Sequence, residues 1–156
     1  VIKKIISGGQ SGADIGGLKA AKEFGIETCG TMPKGFITED GNKPEYAELY
    51  NIKESSSPKY PPRTEKNVKD SDGTIRLAFN FQSAGERCTL KFIKKHNKPY
   101  FDIDVLNPPP IEDVVKWLQD NNIETLNIAG NAEKKCPGIE EFVKEYLLDI
   151  FRQDCL

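Results

Sequence analysis

Several segments of this chain carry the residue types from which a site for a small anion can be built. The first is Ser7-Gly8-Gly9-Gln10-Ser11-Gly12-Ala13-Asp14. Glycine lets a backbone approach a ligand closely. The free amides and the dipole at the start of a following helix attract an anion such as a phosphate. The turn is neither G-x-G-x-x-G nor a P-loop ending in Lys-Ser/Thr, so it points to an anion without naming a dinucleotide. The competing reading is a tight turn that only lets the helix pack on its sheet. Ser11 with Asp14 three residues on fits a capping box of the form S-x-x-D.

Pro33-Lys34-Gly35 offers a lysine directly after an apolar strand, either as an anion partner or as a solvated charge. In Tyr60-Pro61-Pro62-Arg63-Thr64-Glu65-Lys66-Asn67 a rigid proline pair delivers Arg63 and Thr64 to a helix start. A guanidinium suits bidentate recognition of phosphate or carboxylate, and Glu65 or Asn67 could bond a ring edge. Equally, Thr64 could cap the helix and Arg63 could pair with Glu65 in solvent. Ser83-Ala84-Gly85-Glu86-Arg87-Cys88-Thr89 is a second glycine turn at a helix start, with Gly85 and Arg87 as candidates. Gly130-Asn131 opens a third, followed by Lys134-Lys135, which reads as a solvated charge pair.

Catalytic constellations are sparse. The single histidine, His96, is expected at the far end of a helix, away from these turns. The four cysteines, Cys29, Cys88, Cys136 and Cys155, form no C-x-x-C and no zinc spacing. They are expected to be reduced thiols of a cytoplasmic protein. Asp70 and Asp72 read as turn formers, leaving Glu65 and Glu86 as the acids near the candidate site. A non-catalytic binding protein follows more directly than an enzyme.

The elements that must position these residues alternate. Strands are expected over Ile2–Ser7, Ile26–Met32, Thr74–Phe79, Pro99–Ile103 and Glu124–Ala129, rich in β-branched residues. Between them, apolar residues recur at helical spacing: Ile15, Leu18, Ala21 and Phe24 before Gly25; then Leu90 and Ile93; then Ile111, Val114, Val115 and Leu118; finally Ile139, Phe142, Val143, Tyr146, Leu147 and Ile150. Residues 33–62 show little periodicity beyond a brief helical stretch at Glu45–Tyr50, and a short helix is expected from Pro62 to Lys69. Strands interleaved with helices imply a doubly wound, Rossmann-like α/β domain: a parallel sheet of about five strands in a three-layer α/β/α arrangement over residues 1–156. In such a sheet ligands bind beyond the carboxyl ends of the strands, where the glycine turns lie.

Composition bounds the partners. With 156 residues, 22 Lys+Arg against 24 Asp+Glu and a net charge of −2, no basic excess favours nucleic acid or a membrane surface. No apolar run approaches the roughly 18 residues of a transmembrane helix. The expected partner is a small phosphorylated molecule held by a local site.

Taken together, Ser7–Asp14, Pro33-Lys34-Gly35, Glu39-Asp40-Gly41, the run from Tyr60 through Arg63-Thr64-Glu65 and Asn67 to Asp70-Ser71-Asp72-Gly73-Thr74, and Asn127–Gly130 with Pro137-Gly138 resemble the molybdenum cofactor carrier proteins. The resemblance runs in order from residue 6 to about residue 140. It implies a Rossmann-like fold similar to that of lysine-decarboxylase-like and cytokinin-activating proteins, and a pocket over the strand ends for a phosphorylated heterocycle. The implied cofactor is the molybdenum cofactor (molybdopterin), a pterin with a terminal phosphate and a dithiolene holding an oxo-metal; a nucleotide-like phosphate ligand is the alternative. Molybdoenzymes would be recipients, and the protein would be a homo-oligomer. The implied binding set is Gly8, Gly9, Gln10, Ser11, Gly12, Lys34, Gly35, Arg63, Thr64, Glu65, Gly85, Arg87, Gly130 and Asn131. The Pro-Gly-Gly-x-Gly-Thr-x-x-Glu signature of related phosphoribohydrolases is absent, which places a phosphoribohydrolase-like enzyme or a nucleotide sensor second.

Overall fold

The computed structural model describes all of residues 1–156. The chain begins with β1 (Lys4–Ser7), α1 (Ala13–Phe24) and β2 (Glu27–Met32). A hairpin, β3 (Ile37–Thr38) and β4 (Gly41–Asn42), is followed by α2 (Tyr46–Leu49), β5 (Ile52–Glu54) and α3 (Tyr60–Asp70). The second half alternates regularly: β6 (Gly73–Ala78), α4 (Ala84–Lys95), β7 (Tyr100–Asp104), α5 (Ile111–Asp120), β8 (Thr125–Gly130) and α6 (Ile139–Asp154).

The main sheet has six strands in the order β5-β2-β1-β8-β6-β7, all parallel. The α/β/α, Rossmann-like architecture is therefore as expected, with one strand more. The extra strand, β5, lies in the segment read as loop. It is three residues long and only Ile52 is buried, too little for a periodic signal, and it exists because Gly30, Thr31 and Met32 offer it an edge to pair with. The same loop contributes the two-residue strands of the hairpin.

The two faces are built differently. On one, α1 packs on α6 and α6 on α5, and Ile5, Leu77, Ile128, Val143 and Phe151 belong to a cluster of 21 buried apolar residues. Burial at about 25 cal/mol per Å² makes this the stabilising mass of the domain. On the other face, α3 and α4 share only Val68, Phe92 and Ile93 as a buried apolar cluster. Directional bonds hold that layer instead. Asn67 clamps α3 to β2, accepting from the Thr31 amide (2.9 Å) and donating to the Thr31 carbonyl (3.0 Å). Arg76, 2% exposed on β6, donates to both oxygens of Asp102 (2.7 and 2.6 Å) and, through Nη1, to the Glu86 carbonyl in the first turn of α4 (2.8 Å). The Arg76 bond to Glu86 anchors the start of α4, and the Asn67 clamp anchors the body of α3. All four cysteines are free. No helix is long and apolar enough to cross a membrane.

Candidate functional site

The chain runs from β1 outward to β2 and β5, then returns to place β6, β7 and β8 on the other side of β1. Such a reversal opens a crevice at the carboxyl ends of the central strands. A cavity of about 480 Å³ lies there, the size of a typical small-molecule site. Its walls come from four places: Gln10, Ser11 and Asp14 after β1; Tyr60, Pro61, Arg63 and Thr64 from α3; Ala84, Gly85, Glu86, Cys88 and Thr89 from α4; and Ala129, Gly130, Ala132 and Lys135 at and after β8. Glu39, at the hairpin tip, completes the rim. A small annex beneath it is lined by Gly8 together with Asp14, Arg63, Thr64 and Thr89.

Arg63 dominates the electrostatics. Its side chain is 14% exposed, yet it makes no hydrogen bond to the protein, and its Nε is buried without any partner. Its one ionic neighbour is Asp14, with Oδ2 3.6 Å from Nη1. Burial lowers the Arg63 pKa, and the carboxylate of Asp14 works against that fall. Burial likewise pushes the Asp14 carboxyl up, to about 6; Arg63 and the Gln10 amide, which donates to Asp14 Oδ2 at 3.3 Å, pull it down, and Glu86 adds a small upward push. Gly8 makes the approach of Arg63 possible: a Cβ there would lie 1.8 Å from Nη1.

Backbone donors without acceptors lie in and beside the same cavity. The amides of Ser11 and Gly12 have no acceptor in the protein. Nor do those of Ala84, Gly85 and Glu86 in the first turn of α4, because no side chain caps that helix and Ser83 Oγ donates to the Glu86 carboxylate instead. The start of α6 is different. Glu133 accepts there from the Gly138 and Glu140 amides (2.6 and 3.0 Å), so that terminus already carries its anion.

The sequence profile of the circularly permutated YpsA SLOG family matches residues 5–151. The chain belongs to this family. It is similar to a crystal structure at 1.45 Å resolution named "Putative molybdenum carrier protein" from Syntrophus aciditrophicus SB, with 38% identity, a TM-score of 0.86, and coverage of 96% of this chain and 94% of that one. A search of curated proteins finds no match. Family and neighbour agree with the molybdenum carrier, Rossmann-like resemblance carried by the motifs.

In this SLOG-family chain the cavity gathers Gln10, Ser11, Arg63, Thr64, Gly85 and Gly130 from the candidate set, with Gly8 in the annex. The others stand elsewhere. Gly9 backs onto Met32, and Gly12 packs against the backbone of Asn131–Glu133. Lys34 is exposed, and the Gly35 amide donates to Glu54 (2.9 Å), outside the cavity. Glu65 is turned away, paired with Lys95 (2.8 Å) and His96 (2.7 Å). Asn67 is committed to Thr31, so neither residue reads a ring edge. Arg87 is exposed and lines nothing. Asn131 is buried as a brace, accepting from the Phe79 amide (3.0 Å) and donating to Asn80 O (3.2 Å) and Glu86 (3.1 Å).

Two local expectations are also corrected. Ser11 caps nothing: Gly12, with φ +86°, is the N-cap of α1, while Ser11 Oγ donates to Glu39 and accepts from the Glu133 amide (3.2 Å). Thr64 lies inside α3, its hydroxyl donating to Tyr60 O (3.0 Å), because the helix begins two residues before Pro62 and tolerates both prolines in its first turn. Sequence reasoning missed Asp14 as a cavity carboxyl, and missed Glu39, Tyr60, Thr89 and Lys135. The signal available for Asp14 was its place at a helix start within the glycine motif.

Chemically, the cavity offers a hydrogen-bond-free guanidinium and open amides beside three carboxyl groups, Asp14, Glu39 and Glu86. Burial also raises the Cys88 thiol, with Arg63 opposing, so it is no ready thiolate nucleophile. His96 follows the carboxyl end of α4, opposite the end that faces the cavity.

Proposed function

We propose that the cavity binds a phosphorylated heterocycle and that the protein carries it rather than transforms it, the molybdenum cofactor being the cargo that best suits the site. One observation carries this reading: Arg63, largely buried and free of hydrogen bonds, lines a cavity together with Ser11 and Gly85, whose amides have no acceptor in the protein. A guanidinium whose Nε is buried without an acceptor is unfavourable unless a ligand completes it. A phosphate has the charge and the oxygens to do so, and about 480 Å³ leaves room for a pterin or a nucleoside beside it. Tyr60, whose ring lies 5.2 Å from the Arg63 guanidinium carbon, and Pro61 supply flat apolar wall for a ring. The molybdenum carrier name of the similar structure supports the choice of cargo. The test is mass spectrometry of what co-purifies with the protein, followed by titration with the purified cofactor and with nucleoside monophosphates. Affinity in the micromolar range, about −8 kcal/mol, is expected for one of them, and Arg63→Ala should weaken it at least about tenfold. No binding by either class refutes the carrier.

A second reading rests on Asp14 and Glu86, carboxyl groups that line the cavity from α1 and α4, with Asp14 raised to about 6 by burial. A pair of carboxyl groups, one of them raised by burial, is the residue set that cleaves glycosidic bonds. Base release from nucleoside monophosphates, abolished in Glu86→Gln, would favour this enzyme over the carrier.

A further inference from the structure

The carboxylate of Asp14 sits where an incoming anion must arrive. It projects from the first turn of α1, is 8% exposed, and lines both the main cavity and the annex. It is the nearest anion to Arg63, but it holds that residue only loosely, at 3.6 Å and without a hydrogen bond. The groups around it are few. From its own turn comes the Gln10 amide; from α3, Arg63 and the neutral Thr64; from α4, Glu86 and the neutral Thr89; from β8, the uncharged stretch Asn127–Ala129. Tyr60, Cys88, Glu39 and Lys135 line other parts of the cavity. Arg63 is therefore the one cation beside Asp14, with Glu86 as a second carboxyl nearby.

We propose that Asp14 is a resident anion on Arg63, that the phosphate group of the ligand displaces it, and that Asp14 takes up one proton from solvent as the ligand binds. The proposal rests on the phosphate seat at Arg63 argued above. If a phosphate entered with Asp14 still ionised, two or three like charges would crowd one guanidinium in a site shielded from water, where repulsion is strong. Protonation removes one of them and turns Asp14 from a competitor into an O–H donor toward a phosphate oxygen. No covalent bond of the ligand is made or broken. The site would load at mildly acidic pH and release as pH rises, so that transfer of the cargo is coupled to proton release.

Sulfate is the probe, because it has the tetrahedral oxygens of phosphate but does not titrate near neutrality. Isothermal titration in buffers of different ionisation heat reads affinity and proton uptake together. With burial pushing the Asp14 carboxyl up to about 6, the wild-type dissociation constant should rise about tenfold per pH unit above that point, with uptake approaching about one proton per sulfate at about pH 8. Asp14→Asn should bind sulfate with no such slope and more tightly than wild type at about pH 8. A flat wild-type profile without proton uptake, or an unchanged slope in Asp14→Asn, overturns the proposal while Arg63-dependent sulfate binding leaves the seat standing. No sulfate binding in either protein at any pH overturns the seat as well. Absence of proton uptake by the wild type overturns the proposal without any variant, and loss of that uptake in Asp14→Asn assigns the proton to Asp14.

Discussion

Replacing Asp14 by asparagine tests the electrostatics of the site without any ligand. Burial raises this carboxyl from its ordinary 3.8 to about 6 against the opposing pull of Arg63. The folded protein thus binds the proton more tightly than the unfolded chain does. Stability from this group is complete below the unfolded value, declines as pH rises toward about 6, and stays reduced above it. A gap of about 2 pH units at about 1.4 kcal/mol per unit amounts to about 3 kcal/mol. The side chain is only 8% exposed, so solvent screening takes little from that figure. Asparagine has nearly the same shape, keeps an oxygen to accept from the Gln10 amide, and is neutral at every pH. Asp14→Asn should therefore be about 3 kcal/mol more stable than wild type at about pH 8, a rise of roughly 6–12 °C in Tm for a chain of this size. The advantage should shrink to a small remainder at about pH 4. Urea unfolding followed by the fluorescence of Trp117 across that pH range gives both curves. Any fixed penalty of the substitution cancels in the difference between the two pH values. If the difference between variant and wild type is the same at both, or the variant is relatively weaker at high pH, the account of Asp14 as a strained buried anion is wrong.

Three further outcomes are expected. Gly8→Ala puts a methyl group 1.8 Å from Arg63 Nη1 and should weaken phosphate-ligand binding by about tenfold or more in calorimetry, about 1.4 kcal/mol; unchanged affinity would show that Arg63 need not lie where it does. Asn67→Ala leaves the Thr31 amide and carbonyl without their side-chain partners and should lower unfolding free energy by about 2–4 kcal/mol in urea titrations, whereas a loss below about 0.5 kcal/mol would mean α3 is held by something else. Glu65→Gln, outside the cavity in its pairing with Lys95 and His96, should leave ligand affinity within about twofold; a larger loss would bring Glu65 back into the site.

The α6 stripe from Ile139 to Ile150, the α1 stripe ended by Gly25, and the β-branched strands were legible because burial of one face imposes a period on the sequence itself. Strand β5 was not, since a three-residue strand exists only by virtue of the edge it pairs with. The glycine turns were legible as turns, and their place beyond the strand ends followed from the parallel fold. Which neighbours of those turns enter the cavity was not. Arg63 and Glu65 are two residues apart in one helix, and helical rotation sends the first inward and the second to Lys95 and His96.

By itself, then, the sequence determined the alternation of elements, the parallel sheet, and the glycine turns that lie beyond the carboxyl ends of its strands. Tertiary structure alone decided the charges within that rim. It set Asp14 beside Arg63, turned Asn67 and Asn131 into braces, drew Lys135 in and left Lys34 and Arg87 outside. The physical reason is that periodicity records each residue's local partition between water and core. The field at a buried group depends on charges brought together from α1, α3 and α4, which lie up to some seventy residues apart along the chain.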